Sequence, residues 1–367
     1  MELQFRSLCE DKIGPVWKRV FDWGWPGWNA WYSKRLDDEP VPIEKCRHMI
    51  RRFMPGYERV WDRLVEEAGG DDHVARFLSF WTPPRYLANC SQLGGTDEFG
   101  PFLIRNYDLD PIKNEATVLK AHWHGYRTIG MVEGMAGLSD GINDAGLAIS
   151  LTFGGRPERG RGFGIPLIMR YVLETCRDVQ DMLEAFRAVP SHMSYNVLGV
   201  DRHGGIENVM VAPDRPLIRR EDRWSTNHQL GVEWPVYARN TKTVERGELL
   251  AQFAASPYPS VVALQVEFLK PPLHMRDDER GFATVFTAIY RPLTGSITLL
   301  WGDERHFTWS FDAFPVRRVH VVYGDISNEE TLLHAGIDRA KVVVCPVSDD
   351  LLRGIDTADL VRMVRRV

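Results

Sequence analysis

A set of short strand-like segments that follows Cys90 constrains the fold of this chain most strongly. Each segment is apolar, rich in β-branched residues or alternating in polarity, and turns of glycine, aspartate or asparagine separate them. The strand-like segments are Pro101–Tyr107, Thr117–His122, Gly146–Phe153, Ser194–Val200, Glu207–Val211 and Thr284–Tyr290. Helical segments come between them at Pro166–Cys176 and Val179–Val189. This order predicts a core that contains both sheets and helices.

The residues before Cys90 have a different pattern. Apolar positions recur at helical spacing in Cys46–Phe53, Tyr57–Ala68 and His73–Trp81, and Pro83-Pro84 then ends the last helix. Five of the 12 tryptophans lie between residues 17 and 31, where Gly24, Pro26 and Gly27 predict a broken helix. We interpret the tryptophans as a lid or packing element rather than a membrane belt, because their flanking charges are mixed.

The composition narrows the range of partners and compartments. The formal net charge is −5, so a nucleic-acid groove is not expected. The chain has no apolar run of membrane-spanning length and no signal-peptide pattern at its start, which predicts a cytoplasmic protein. Its five cysteines are irregularly spaced and form neither a disulfide framework nor a zinc ribbon.

Cys90 is the candidate nucleophile. It lies in Asn89-Cys90-Ser91, and Arg105 and Asp108 follow in the motif Arg105-Asn106-Tyr107-Asp108. If Cys90 begins a strand and the chain returns in a hairpin, both charged residues lie beside it. Arg105 could then lower the pKa of the thiol, because only the thiolate attacks. Read without further motifs, the same residues also fit a buried structural thiol and an exposed ion pair.

Further motifs follow in order: Asp140-Gly141-Ile142-Asn143-Asp144-Ala145-Gly146-Leu147-Ala148 and Ser225-Thr226-Asn227-His228. Together with the two motifs around Cys90 they resemble those of the penicillin acyltransferase-like family, over about residues 57–315. That family belongs to the N-terminal-nucleophile hydrolases and is related to the bile-salt hydrolases. The resemblance implies an α+β fold, a four-layer αββα sandwich. It further implies a helical pro-segment at residues 1–89 and a catalytic core at 90–317. The alternation of strand-like and helical stretches after the core predicts a small β-α-β-α appendage at 318–367.

The resemblance also implies self-cleavage between Asn89 and Cys90. The freed α-amine of Cys90 would act as the general base for its own thiol, while Arg105 and Asp108 match the family's active-site pair. Asn227 matches an asparagine of the oxyanion hole. Arg246, in Thr243-Val244-Glu245-Arg246, matches a later arginine of the family.

Four further residues are candidates for substrate binding: Tyr107, Thr152, Phe153 and Gly154. Bile-salt hydrolases carry an oxyanion-hole asparagine in a Leu-Asn-Phe triplet, and the matching triplet here is Leu151-Thr152-Phe153. Thr152 offers a hydroxyl instead of an amide donor, which argues against bile-salt chemistry. The glycines after Phe153 could supply main-chain donors in its place.

The histidines raise two alternative kinds of site, a metal site and a papain-like catalytic pair. His122-Trp123-His124 places two imidazoles on one strand face, which we interpret as packing rather than a metal site, since no third ligand stands out. A papain-like pairing of Cys90 with His122 or His228 would need a helix to begin at the cysteine, whereas the sequence around Cys90 predicts strand and turn. No metal and no cofactor are expected.

The tail resembles the second half of the nucleotide-binding domain that regulates potassium transport proteins. The matching residues are Val321-Val322-Tyr323-Gly324-Asp325, Leu332–Ala335-Gly336-Ile337, Ala340, Val342–Val344 and Asp349-Asp350. The glycine-rich loop that seats a pyrophosphate is missing, so nucleotide binding is not expected. A half-domain of this kind is expected to dock on the core or on a second copy, which leaves a homo-oligomer open.

The sequence therefore predicts an autoproteolytic cysteine amidohydrolase or acyltransferase. It would form a thioester with a small amide or acyl thioester substrate and pass the acyl group to water or an amine. An uncleaved, non-catalytic binding or regulatory protein of the same fold, with the tail as its interaction module, stays open as the alternative.

Overall fold

Two large β-sheets form the centre of the protein. The structure is a computed structural model, and it describes residues 2–35, 40–256, 260–277, 282–301 and 306–322. Within these residues the first sheet has nine strands. Their order is β10 (Ile218–Arg220), β9 (Ile206–Val211), β8 (Tyr195–Asp201), β7 (Leu147–Phe153), β6 (Gly137–Asn143), β5 (Thr128–Glu133), β4 (Thr117–Ala121), β1 (Glu2–Glu10) and β16 (Arg318–Val322).

The second sheet has seven strands in the described part of the chain. Six of them follow the order β11 (Trp224–Ser225), β2 (Asn89–Asp97), β3 (Gly100–Leu109), β13 (Phe282–Arg291), β14 (Ser296–Leu300) and β15 (His306–Ser310), and β12 (Arg276–Asp277) pairs with β13. The six strand segments expected from the sequence are all present, with ends shifted by a few residues.

The two sheets pack face to face and helices cover their outer faces. On β3, Leu103 and Tyr107 lie in the core between the sheets, while Phe102 and Ile104 lie in the core under the outer helices. This alternation follows from the two-residue period of a strand. The helices α5 (Ile165–Thr175) and α6 (Val179–Ala188) cover the first sheet, and α8 (Thr243–Ala255) and α9 (Val261–Phe268) cover the second. The predicted αββα sandwich is confirmed.

The segment before Cys90 is helical, as expected, but it also supplies a strand. Its helices are α1 (Pro15–Ser33), α2 (Ile43–Phe53), α3 (Glu58–Ala68) and α4 (Asp72–Ser79). Strand β1 lies inside the first sheet, parallel to β4 and antiparallel to β16. No strand is expected there from the helical pattern of the segment, although Leu3 and Phe5 alternate with the polar Gln4 and Arg6. The segment is thus built into the sandwich rather than added to its surface.

The predicted break in the tryptophan-rich region is wrong. Helix α1 is continuous and contains Pro26. A proline inside a helix costs about 3 kcal/mol because one hydrogen bond is lost. Packing offsets this cost: Trp17 is fully buried, and the ring of Trp25 stacks on Phe21 at 5.4 Å between centroids. The described helices include none that is both long and apolar enough to cross a membrane.

The tail begins with the last strand of the first sheet in the described part of the chain. Residues Arg318–Val322 form β16, where the sequence predicted a strand, and they pair antiparallel with β1. The remaining elements predicted for the tail lie outside the described residues. Helix α7 (Pro235–Thr241), which the sequence did not predict, precedes α8 and lies near Cys90.

Candidate active site

The hairpin of β2 and β3 brings Cys90 and its predicted partners together. In the antiparallel register Asn89 lies opposite Asp108, Cys90 opposite Tyr107 and Gln92 opposite Arg105. Because side chains alternate along a strand, Cys90 and Arg105 face the space between the sheets, whereas Asp108 faces the layer of α8. The predicted hairpin is confirmed, and Cys90 begins a strand rather than a helix.

The thiol of Cys90 has a cationic partner. The guanidinium of Arg105 donates from Nη2 to Cys90 Sγ at 2.9 Å, and its Nη1 pairs with Asp140 Oδ1 at 3.0 Å. All three side chains are fully buried. Burial raises the pKa of the Cys90 thiol to about 12, although the charge of Arg105 opposes this shift. In the uncut chain the thiol is therefore held protonated beside a group that would stabilise its thiolate.

The main chain of Cys90 is fixed by Asn227 and Arg246. The Cys90 amide donates to Asn227 Oδ1 at 3.0 Å. Arg246, on α8, donates from Nη2 to Asn227 Oδ1 at 2.7 Å and from Nη1 to Cys90 O at 3.2 Å and Ser91 Oγ at 2.9 Å. The amide nitrogen of Asn227 donates to Phe153 O at 3.2 Å. A single fully buried arginine thus holds both sides of the Asn227–Cys90 contact.

Asp108 is the counter-charge of Arg246. Arg246 Nη1 reaches Asp108 Oδ2 at 2.9 Å, and Thr284 donates its hydroxyl to Asp108 Oδ1 at 2.7 Å. Burial raises the pKa of the Asp108 carboxyl, while Arg246 and the Thr284 hydrogen bond oppose the shift. The pair brings one positive and one negative charge to the layer behind Cys90, where each compensates the other.

The residues at the end of β7 that were expected to complete an oxyanion hole already donate to main-chain carbonyls of the protein. Thr152 donates its hydroxyl to Thr226 O at 2.8 Å, and the amide of Gly154 donates to Ser194 O at 2.8 Å. Gly155 has a φ of +66°, and a Cβ there would lie 2.1 Å from Asn227 O. Thr152 and these glycines therefore support the turn that carries Asn227, and in the uncut chain the Gly154 amide is not free to bind a substrate oxygen.

Tyr107 belongs to a buried polar chain beneath the segment that leads to Cys90. Its hydroxyl donates to Glu133 Oε2 at 2.7 Å and lies 2.9 Å from the hydroxyl of Tyr86. Burial raises the pKa of Glu133 to about 7, and the hydrogen bonds from both tyrosines oppose the shift. Trp28 of α1 packs against Tyr86 at 5.6 Å between centroids. The tryptophan-rich helix thus packs on the segment that enters the candidate cleavage site.

Tyr237 of α7 contacts Ala88 and Asn89, the two residues that precede Cys90. Its hydroxyl donates to Asn89 Oδ1 and lies 3.4 Å from Ala88 O. Its ring meets Phe153 edge-on at 5.2 Å and stacks on Trp234 at 5.3 Å. No local sequence signal marks Tyr237, because a contact across 148 residues depends on the tertiary fold.

The histidines named in the sequence analysis lie in other environments. His122 Nε2 is 3.0 Å from Gly125 O, and His228 Nδ1 is 3.0 Å from the hydroxyl of Thr243. In the part of the chain that the structure describes, no group of three or more His, Cys, Asp or Glu residues could hold a metal ion. Two residues near Arg105 were not predicted as site residues from the sequence. Asp140 opens one of the motifs named above, and Tyr290 donates its hydroxyl to Asp140 Oδ2 at 2.7 Å.

The αββα sandwich is the fold of the N-terminal-nucleophile hydrolases, and polar groups gather where one of its strands begins. The sequence profile of the acyl-coenzyme A:6-aminopenicillanic acid acyl-transferase family matches residues 95–306. This match spans more than half of the chain, and the chain belongs to that family. A second profile, that of the TrkA-N domain, matches residues 310–363 and confirms the resemblance of the tail.

Solved structures with a similar fold include three at low sequence identity. Penicillin V acylase from Agrobacterium tumefaciens has 13% identity, covers 62% of this chain and 90% of its own, and has a TM-score of 0.42. A mutant of conjugated bile acid hydrolase from Clostridium perfringens has 12% identity, coverages of 64% and 97%, and a TM-score of 0.38. A Caenorhabditis elegans ortholog of N-acylethanolamine-hydrolyzing acid amidase has 14% identity, coverages of 63% and 100%, and a TM-score of 0.40. None of the curated proteins compared with the chain is significantly similar to it.

Proposed function

We propose that this protein is a cysteine amidohydrolase or N-acyltransferase that cuts its own chain between Asn89 and Cys90. One observation carries the proposal. At the start of a strand, the Cys90 thiol accepts a hydrogen bond from Arg105, and the Cys90 main-chain nitrogen donates to Asn227 Oδ1. A nucleophile, a cation for its thiolate and an acceptor for its nitrogen are the groups that such chemistry needs.

The self-cleavage step breaks the peptide bond at Cys90 N. The Cys90 sulfur adds to the carbonyl carbon of Asn89, the C–N bond breaks, and the nitrogen takes up the thiol proton to become an amine. Water then hydrolyses the thioester and leaves a carboxylate on Asn89. Arg105 stabilises the sulfur as it loses its proton, and Arg246 keeps the Cys90 main chain in place.

Turnover repeats the same chemistry on a substrate. The Cys90 amine, oriented by Asn227 Oδ1, takes the thiol proton as the sulfur attacks an amide or thioester carbonyl. The leaving amine or thiol takes a proton, and the acyl group stays on sulfur until water or an amine removes it. Asn227 Nδ2 donates to the developing oxyanion once it leaves Phe153 O, to which its bond is a long 3.2 Å.

The division of the chain follows from the same proposal. Residues 1–89 act as a pro-segment and lid, residues 90–317 as the catalytic core, and residues 318–367 as the tail. Because β1 has a strand partner on each side, the pro-segment stays bound after the cut instead of leaving. Trp28 of the pro-segment donates from its indole nitrogen to Glu115 Oε1 of the core at 2.9 Å, and this bond helps to keep the lid on the core.

Substrate assays with acyl p-nitroanilides test the proposal. Wild type is expected to release the amine and to carry an acyl group on the peptide that begins at Cys90, as detected by peptide mass. Cys90→Ala is expected to do neither. Cys176→Ala is the matched control, because Cys176 is also buried with its pKa raised to about 12, mainly by burial, yet lies away from the site.

An uncleaved binding protein is the second candidate. The complete burial of the Cys90 thiol and its high pKa favour it, because both keep the uncut chain chemically inert. An uncut wild-type chain that releases no amine from any anilide would support this candidate and contradict the enzyme.

A further inference from the structure

The surroundings of Asn89 describe the place that a substrate acyl group must occupy. One sulfur, that of Cys90, attacks the Asn89 carbonyl in self-cleavage and the substrate carbonyl in turnover. Both carbonyl carbons must therefore reach the same position relative to Cys90 Sγ. The side chain of Asn89 then fills the space that the near end of the substrate acyl group takes later. This step rests on the proposed function.

That space is closed and contains a fixed hydrogen-bond donor. Asn89 is buried, and the Tyr237 hydroxyl donates to its side-chain oxygen and faces Ala88 O. The ring of Tyr237 is held between Phe153 and Trp234. The pro-segment stays anchored by β1, and after the cut only its free end at Asn89 moves out of this space. A ring fixed on two sides keeps its hydroxyl in place during this movement, so the donor is prepared for the next occupant.

We propose that Tyr237 determines acyl specificity, and that it selects acyl groups with an oxygen acceptor at the position of Asn89 Oδ1. The substrates are then amides of peptide-like acyl groups, such as an N-acylated amino acid with a side-chain amide, rather than of plain hydrocarbon chains. A hydrocarbon acyl group would bury the Tyr237 hydroxyl without an acceptor. A site built to hydrogen-bond a substrate rejects the analogue that lacks the partner, here by about tenfold to a hundredfold.

Asn89 itself offers the first test, because the uncut chain is its own substrate. Self-cleavage of the full chain is followed by intact mass in wild type, Asn89→Leu, Tyr237→Phe and the double variant. Asn89→Leu and Tyr237→Phe are each expected to slow cleavage about tenfold, since either removes the same hydrogen bond. The double variant is expected to be no slower than the slower single variant.

Tyr195→Phe is the matched control. Tyr195 is also buried and its ring also meets Phe153, at 6.0 Å, but its hydroxyl lies 3.9 Å from Met193 Sδ. Its loss is expected to leave the cleavage rate unchanged. If Tyr195→Phe slows cleavage as much as Tyr237→Phe, the effect comes from packing around Phe153, and the proposal is overturned.

Turnover gives the second test, on the cleaved enzyme. N-acetylasparaginyl and N-acetylleucyl p-nitroanilides have similar shapes and differ in the acceptor. Rates are divided by the amount of chain that begins at Cys90, so incomplete cleavage of a variant does not affect the comparison. Wild type is expected to favour the asparaginyl substrate in kcat/KM by about tenfold or more, and Tyr237→Phe to lose this preference.

The outcomes separate this inference from the proposed function. A wild-type chain that neither cuts itself nor hydrolyses either anilide contradicts the proposed function and this inference with it. An enzyme that cuts itself but treats Asn89→Leu as wild type, or hydrolyses both anilides equally, contradicts only the role of Tyr237. A preference for the asparaginyl anilide that persists in Tyr237→Phe also contradicts only the role of Tyr237.

Discussion

Replacing Arg246 by methionine tests a part of the site that was located through the resemblance to a family. Arg246 is fully buried and donates to Asp108, Asn227, Ser91 Oγ and the carbonyl of Cys90. The variant removes the donor to Asp108 Oδ2, while the Thr284 hydroxyl still donates to Asp108 Oδ1. Removing one partner of a buried ion pair costs about 3–5 kcal/mol, and four lost hydrogen bonds at about 1 kcal/mol each give a similar sum.

The stability of the chain is marginal on this scale, so a milder variant is needed beside it. Arg246→Lys keeps the charge, but one ammonium replaces two nitrogens that separately reach Asp108 and Asn227. We expect it to cost about 1–3 kcal/mol in urea unfolding. It should also slow self-cleavage at least tenfold, because the Cys90 main chain loses its support.

Arg291→Met is the matched control for this experiment. Arg291 forms a two-bond ion pair with Asp97, at 2.6 Å and 2.8 Å, in the sheet that contains Cys90. It contacts none of the site residues described above. We expect it to lower the free energy of unfolding while cleavage proceeds at the wild-type rate. Folded Arg246→Lys protein that cleaves as fast as wild type would refute the reasoning, since Arg246 would then support the fold alone.

Three further changes test neighbouring groups. Burial raises the pKa of Glu115 to about 8, so the folded chain holds a proton that the unfolded chain releases above its ordinary pKa, and stability falls as pH rises through this window. Glu115→Gln should reduce this loss in the free energy of unfolding by up to about 1.4 kcal/mol per pH unit, measured by urea unfolding at about pH 5 and about pH 9. If wild type and variant lose the same free energy of unfolding between these two pH values, the prediction is contradicted. Gly155→Ala places a Cβ against Asn227 O and should slow cleavage, whereas Gly69→Ala, also at positive φ but in open space, should not. Asn227→Asp keeps the acceptor for Cys90 N and loses the amide donor, so kcat per cleaved chain should fall by about a hundredfold or more, and an unchanged kcat would exclude the oxyanion role.

Local sequence was enough to predict the hairpin that assembles the site. Cys90, Arg105 and Asp108 lie within one β2–β3 pairing, so their contacts depend on register and strand period, which a sequence pattern carries. The motif around Asn227 and the position of Arg246 also identified residues that lie at the site. These residues are distant in sequence, and the resemblance to a family supplied what spacing alone could not.

Long-range contacts account for what the sequence did not provide. Strand β1 was not predicted because its partners, β4 and β16, lie far along the chain. The break expected near Pro26 failed because tertiary contacts of the tryptophans, such as the hydrogen bond from Trp17 Nε1 to Met135 O, outweigh the local cost of a proline. Tyr237 was missed since its role depends on α7 folding back over Asn89. In each case the deciding partner lies more than a hundred residues away or in another layer.

Intact mass of the purified full-length chain tests the central claim most directly. Wild type is expected to separate under denaturing conditions into residues 1–89 and residues 90–367, whereas Cys90→Ala is expected to stay whole. Cys46→Ala, a buried cysteine outside the site, should cleave as wild type does. A wild-type chain that stays intact, or a Cys90→Ala chain that is cut at the same bond, would contradict the account.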